Sequence, residues 1–135
     1  MRRLAILTAV TASLVLATTA GAGTSSATTS FNGETPTAGQ TLDVTFTIFT
    51  TAPVVPYQYA LQNTCVYPPT KSSGAFKLGQ HDAIAAWTDT DAAGHPMVTM
   101  PVYLQSVPAG SSCKVSLVDS NNVAVKGSTV SYAVT

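Results

Sequence analysis

Alternation of apolar and polar residues with a period of two most constrains the fold of this 135-residue chain. In an extended strand successive side chains point to opposite faces, so such a pattern gives one buried face and one wet face. Five segments show it, with apolar positions Leu42/Val44/Phe46/Ile48, Tyr57/Tyr59/Leu61, Val98/Met100/Val102/Leu104, Cys113/Val115/Leu117 and Val130/Tyr132/Val134. No segment carries a convincing helical stripe. The pattern therefore predicts an all-β protein.

Turn-forming residues separate these segments at regular intervals. Pro, Gly, Asn and Ser are frequent at 36–39, 52–53, 67–69, 72–74, 93–96, 108–110 and 120–122. Pro101 lacks a backbone N–H, which places its strand at a sheet edge or beside a bulge. Residues 83–88 fit either a strand or a single helical turn. About seven short strands in a chain of this size are typical of an immunoglobulin-like antiparallel β-sandwich.

The first 22 residues are typical of a secretory signal peptide. Arg2 and Arg3 precede an apolar stretch at 4–16 that is too short to span a membrane, and small residues follow. Cleavage is predicted after Ala22, with a later site after Ala27 as the alternative; an uncleaved N-terminal anchor is the other interpretation. Residues 23–30 are Gly, Ser, Thr and Ala and predict a flexible lead-in to a domain at 31–135. We expect a secreted, extracellular product without a membrane span.

Removing the signal peptide changes the charge of the chain. The whole sequence balances six basic against six acidic residues, but both arginines lie in the signal. The remainder keeps four lysines against six carboxylates, a net charge of −2. A chain without a basic stripe is not expected to bind nucleic acid. Without guanidinium groups, contacts with a partner are expected to use backbone, hydroxyl and aromatic groups.

The two cysteines, Cys65 and Cys113, predict one disulfide because the chain carries an export signal. A bridge between residues 48 apart should stabilise the fold by about 4 kcal/mol. If 57–62 and 113–118 are the third and sixth strands of the sandwich, they are antiparallel neighbours. The bridge then joins the end of the first to the start of the second. This placement differs from the bridge of antibody domains, and the Trp that packs on that bridge is not on the third strand here, so an antibody-type domain is not expected.

Two histidines and three aspartates are the only concentrated polar groups suited to chemistry: His81, Asp82, Asp89, Asp91 and His95. The chain has no Gly-x-Ser-x-Gly nucleophile elbow, and its single glutamate leaves no evident pair of opposed carboxylates. Residues 89–94 begin like a calcium loop, but Ala93 and Met100 stand where the fifth and twelfth positions need oxygen ligands. An Asx-stabilised turn is the better interpretation. No catalytic residue, metal ligand or cofactor is predicted.

Aromatic side chains are the remaining candidates for ligand contact. Tyr67, Trp87 and Tyr103 lie outside the apolar positions of the strands or in turns, so they are predicted to contact a ligand, for example by stacking on sugar rings. The other tyrosines considered, Tyr57, Tyr59 and Tyr132, fall on apolar positions and are expected in the core.

Two segments carry a resemblance to known families. Residues 36–47 read PTAGQTLDVTFT, and residues 107–117 read VPAGSSCKVSL. The first resembles the P-x-x-G-x-x-(apolar)-x-(apolar)-x-W opening strand of the Knh-like family of fungal secreted and cell-wall proteins, and the second its later P-A-G-x-x-Y strand. Phe46 stands in place of the usual Trp and Cys113 in place of the Tyr. The resemblance implies an extracellular, cell-wall-associated immunoglobulin-like module without catalysis.

The same segments are also similar to two other groups. Generic bacterial immunoglobulin-like sandwiches share these turn and strand signatures. The ML lipid-recognition family opens with P-x-x-G-Q-x-L and later carries P-x-G-x-Y, although its additional disulfides are not found here. That resemblance implies a lipid held between two sheets.

Three functional hypotheses follow from the sequence. The first is a secreted, non-enzymatic binding or interaction domain at the cell surface or cell wall, with a cell-wall glycan or another extracellular protein as its partner. The second is a carrier of a small apolar ligand or lipid between the sheets. An enzyme is the third and weakest reading.

Overall fold

The computed structural model describes residues 25–50, 54–69 and 77–135, so the predicted signal peptide lies outside the described residues. Within them the chain forms eight β-strands and one short 3-10 turn. The strands are β1 (Ser26–Ser30), β2 (Thr41–Phe49), β3 (Tyr59–Val66), β4 (Lys77–Ala83), β5 (Asp89–Thr90), β6 (Pro96–Tyr103), β7 (Ser112–Asp119) and β8 (Val130–Ala133).

These strands make two four-stranded sheets in which every pair of neighbours is antiparallel. The first sheet has the order β1-β2-β6-β5 and the second the order β4-β3-β7-β8. This is the strand order of an immunoglobulin-like sandwich. The fold class expected from the sequence is therefore confirmed, with eight strands where about seven were expected.

Alternating side chains of both sheets meet in one core. The inward positions of β2, β6, β3 and β7 are almost fully buried and form a single hydrophobic cluster, which includes Leu42, Val44, Phe46, Ile48, Val98, Val102, Leu61, Val115 and Leu117. Burying each large aliphatic or aromatic side chain stabilises the fold by about 1.5–3 kcal/mol. Packing between these inward faces fixes which side of each sheet is left to meet solvent.

The disulfide joins Cys65 and Cys113, as the sequence predicted. The two residues are directly opposite each other in the register of β3 and β7, and both side chains are buried. Because β3 runs to Val66, Cys65 lies within the strand rather than just beyond it. The bond ties the two central strands of the second sheet together.

The flexible lead-in predicted at 23–30 is wrong for residues 26–30. Strand β1 pairs along its whole length with β2, and the Ala27 side chain is only 2% exposed. The Ala27 N–H also donates to the Lys126 carbonyl at 2.9 Å. The small residues of β1 show no strand pattern in the sequence. Backbone hydrogen bonds and one buried methyl group hold this edge strand in place instead.

Tyr57 was expected in the core and is instead 73% exposed. Pro56 starts the 3-10 turn Pro56–Gln58, so Tyr57 precedes the strand and its alternation. Tyr59 and Tyr132 are partly buried and pack against the core, as expected. Residues 83–88 were expected to form either a strand or a single helical turn, and the segment as a whole forms neither. Ala83 is the last residue of β4, and residues 84–88 have no regular structure.

The side chain of Gln80 links the two sheets at one edge. Its Nε2 donates to the Pro101 carbonyl at 2.8 Å, and its Oε1 accepts the Tyr103 N–H at 3.0 Å. On this side of β6, the short strand β5 pairs only with Met97 and Pro96. The amide of Gln80 thus satisfies backbone groups beyond the end of β5. The sequence predicted that the strand of Pro101 lies at a sheet edge or beside a bulge, but β6 lies between β2 and β5. The proline is tolerated there because β5 pairs only with Met97 and Pro96 and does not reach Pro101. Within the described residues no helix is long and apolar enough to cross a membrane.

Candidate functional site

A groove of about 700 Å³ lies on the outer face of the second sheet. We call it the β3–β7–β8 groove. It is lined by outward side chains of these three strands, with contributions from Cys113 and Tyr132; the outward residues are Thr64, Val66, Ser112, Lys114, Ser131 and Ala133. It is wide open to solvent, and its shape follows from short side chains on three adjacent strands.

The strand register arranges the groove in two rows across the sheet. Thr64, Lys114 and Ser131 are opposite one another in one row, and Val66, Ser112 and Ala133 in the next. Three neighbouring strands span about 10 Å, so each row brings side chains from separate parts of the sequence within reach of one small ligand. The first row presents two hydroxyls flanking one ammonium group.

Strand β8 adds free backbone groups to the groove. Val134 directs its N–H to the Ser111 carbonyl of the β7 side, so the backbone groups of Ser131 and Ala133 point to the other side. Chain segments cover the two ends of this edge: the Thr135 N–H donates to the Pro36 carbonyl, and residue 27 bonds to residue 126. Between them, Ser131 and Ala133 have no backbone partner on this side among the described residues.

The two outer faces of the sandwich differ in charge. The carboxylates in the strands of the second sheet are Asp82 and Asp119, which pair with the inward-facing Leu61 and Tyr59 and so do not share the face of Lys114. The first sheet instead exposes Asp43 and Asp89. Among the described strands, only the outer face of the second sheet therefore presents an ammonium group to an anion without a competing carboxylate.

A buried polar pair supports the floor of the groove. The Tyr132 hydroxyl donates to Asn63 Oδ1 at 2.8 Å, and the Asn63 side chain is only 3% exposed. Burial raises the pKa of Tyr132 to about 12. The Phe31 ring packs edge-on against Tyr132 with 5.2 Å between centroids. These contacts fix β8 beside the core.

The three aromatic residues predicted to contact a ligand do not form one surface. Trp87 packs on Tyr59 at the start of β3 and donates from Nε1 to the Val54 carbonyl at 3.1 Å. Tyr67 follows the other end of β3, where its hydroxyl donates to the Ser106 carbonyl at 2.7 Å. Only Tyr103 is more than half exposed, at 53%. The three aromatic rings therefore do not form a shared surface for stacking on a ligand.

Tyr67 does line a second hollow, of about 570 Å³, at its end of the sandwich. Its other walls come from the turns before β2 and before β7, and they include Ala38, Gly39, Gln105, Ser106, Val107 and Pro108. It is wider open than the β3–β7–β8 groove and carries no charged side chain among these residues.

The His95 and Asp91 side chains are engaged in a turn. Asp91 Oδ1 accepts the backbone N–H groups of Ala93 and His95, and its Oδ2 lies 2.7 Å from His95 Nδ1. This is the Asx-stabilised turn expected from the sequence. The hydrogen bond from His95 is the main cause that holds the pKa of Asp91 below its usual range. The His95 ring packs edge-on against Phe49.

His81 lies elsewhere, with Nε2 at 3.0 Å from Asn122 Oδ1 in the turn after β7. The two histidines are thus explained by local contacts with turns. No cluster of three or more His, Cys, Asp or Glu side chains suited to a metal ion occurs in the described part of the chain.

Sequence reasoning missed the β3–β7–β8 groove. Half of its lining residues are Ser, Thr or Ala, which carry no motif, and the site exists only where three strands lie side by side. Comparisons with protein-family models, with curated proteins and with solved structures gave no match.

Proposed function

We propose that the mature chain is a secreted, non-enzymatic binding domain that acts at the cell surface or cell wall. The observation that carries this proposal is the open β3–β7–β8 groove, with its aligned hydroxyls, its ammonium group and the adjoining free edge of β8. These groups can bind a ligand through hydrogen bonds and ion pairs without a covalent reaction. Both histidines make hydrogen bonds with residues of turns outside the groove lining, His81 with Asn122 and His95 with Asp91.

The alternative, a carrier of an apolar ligand between the sheets, has less support. The linings of the two hollows contain none of the large central core side chains such as Phe46, Leu61 and Leu117. Those side chains are fully buried in one packed cluster. A bound lipid would have to separate them.

Sedimentation with purified cell walls of the producing organism tests the proposal. The secreted chain is mixed with walls, the pellet is assayed for protein, and the supernatant is assayed for released sugar and peptide. We expect retention that saturates with added protein, and no released fragments over time. Absence of retention on walls and on intact cells would refute a surface-binding role, and steady release of fragments would identify an enzyme.

A further inference from the structure

We propose that the β3–β7–β8 groove binds an acidic polysaccharide, with Lys114 contacting a carboxylate of the polymer. This inference rests on the proposed function and adds the ligand class and the residues that recognise it. The groove is open to solvent, and its volume of about 700 Å³ lies within the range of small-ligand sites.

Charge complementarity favours an anionic ligand. The Lys114 side chain is exposed in the middle of its row, between Thr64 and Ser131, and the carboxylates of the same sheet face the other way. An ammonium group with no carboxylate beside it keeps its full attraction for an external anion. Without its predicted signal peptide the chain has a net charge of −2, which does not attract anions, so the preference is local to this face.

The rest of the lining favours a hydroxyl-rich polymer over a protein. Protein interfaces are anchored by aromatic, Met and Arg side chains that fill pockets. Here the only aromatic member, Tyr132, has its hydroxyl turned inward to Asn63. The groove instead offers the hydroxyls of Thr64, Ser112 and Ser131, which both donate and accept.

The free edge of β8 supplies the direction in which a polymer can run. The N–H and C=O groups of Ser131 and Ala133 stand along the margin of the groove and can bond to sugar hydroxyls. A chain lying along β8 would meet these groups on one side and Lys114 on the other. No aromatic stacking is needed for this mode of binding.

Calorimetric titration of the secreted chain with oligomers of polygalacturonate tests the proposal, since every sugar of that polymer carries a carboxylate. The matched ligand is the methyl-esterified oligomer, which keeps the hydroxyls and loses the charge. We expect binding of the acid form that weakens with added salt, and at least a tenfold weaker binding of the ester.

Two lysine variants test the site. Lys114→Gln removes the charge and keeps the length of the side chain, and we expect it to weaken binding of the acid form about tenfold. Lys126→Gln makes the same change at an exposed position outside the groove and should bind like the unmodified chain. Matching thermal unfolding of both variants shows that the fold is retained.

Several results would overturn the inference. Equal affinity of the Lys114→Gln and unmodified chains would show that no ammonium–carboxylate contact is made. Equal binding of the acid and the ester would show the same. Tighter binding of poly-glutamate than of polygalacturonate would point to an acidic protein partner instead. If the chain is still retained on cell walls in any of these cases, the proposed function stands and only the ligand assignment fails.

Discussion

At the scale of single residues, the Tyr132–Asn63 hydrogen bond is the most informative contact. It joins the edge strand β8 to a polar side chain buried in the second sheet, directly beneath the groove. A buried amide oxygen that loses its partner costs about 1–3 kcal/mol. We therefore expect Tyr132→Phe to lower the free energy of unfolding by about that amount, measured by urea denaturation at neutral pH.

The same tyrosine makes stability depend on alkaline pH. In the unfolded chain Tyr132 ionises near its ordinary pKa of 10.0, whereas in the fold its pKa is raised to about 12. Its contribution is therefore fully present below pH 10 and is lost as the pH rises towards 12. Denaturation of the unmodified chain and of Tyr132→Phe should show the smaller alkaline loss in the variant. Parallel losses in both would contradict the assignment.

The sequence predicts the burial and contacts of a residue well where nearby residues in the chain determine them, and poorly where distant residues do. Phe46 and Leu117 sit in clean alternating patterns, and both are in the core. Tyr57 continued such a pattern but is exposed, because the turn begun by Pro56 precedes the strand. The disulfide was predictable because only two cysteines are present. Lys114 drew no notice, since its role depends on Thr64 and Ser131, which lie far from it in sequence.

At the scale of elements, the sequence predicted the strands that alternate and missed those held by their neighbours. Strand β4 contains Gly79, Gln80 and His81, which carry no strand pattern, yet it pairs with β3 over its full length. Strand β1 is built from small residues and was taken for a linker. Both are edge strands of their sheets, where backbone pairing and single side-chain contacts replace a buried face.

Gln80 is the contact that attaches β4 to the opposite sheet. Replacement by Met keeps the size of the side chain and removes its bonds to Pro101, Tyr103 and Asp82. We expect Gln80→Met to cost about 1–3 kcal/mol of unfolding free energy and to speed hydrogen exchange at the Tyr103 amide. Gln58→Met changes the same side chain in the exposed 3-10 turn and should have no effect. Equal stability of the two variants would show that the link is unimportant.

The structure of β1 favours one of the two predicted cleavage sites. A chain that starts at Gly23 keeps all of β1, whereas one that starts at Thr28 loses Ser26, Ala27 and the bond from Ala27 to Lys126. The shorter chain should be less stable by about 2 kcal/mol, the sum of one hydrogen bond and one buried methyl group. We expect mass spectrometry of the secreted chain to find Gly23 at its N-terminus, and a start at Thr28 would contradict this.

At the scale of the whole molecule, one disulfide closes a loop of 48 residues within a small domain. It encloses β4, β5 and β6 and holds β3 against β7, two of the three strands that line the groove. Replacing both cysteines with Ala should lower the free energy of unfolding by about 2–5 kcal/mol. Chemical denaturation measures this loss, and a double variant as stable as the unmodified chain would contradict it.

The sandwich also has two chemically distinct outer faces. One exposes Asp43 and Asp89, and the other presents Lys114 among hydroxyl groups. The packed core fixes both faces, since a shift of register by one residue would exchange inward and outward side chains. We propose that binding at the cell surface uses the face with the groove.

Retention on cell walls of two matched variants distinguishes binding at this face from binding elsewhere on the sandwich. Ser131→Glu adds a carboxylate at an exposed position of β8 in the groove, and Thr28→Glu adds the same group at an exposed position of β1 on the other sheet. We predict that Ser131→Glu lowers retention about tenfold while Thr28→Glu is retained like the unmodified chain. Equal retention of both variants, or loss confined to Thr28→Glu, would contradict it.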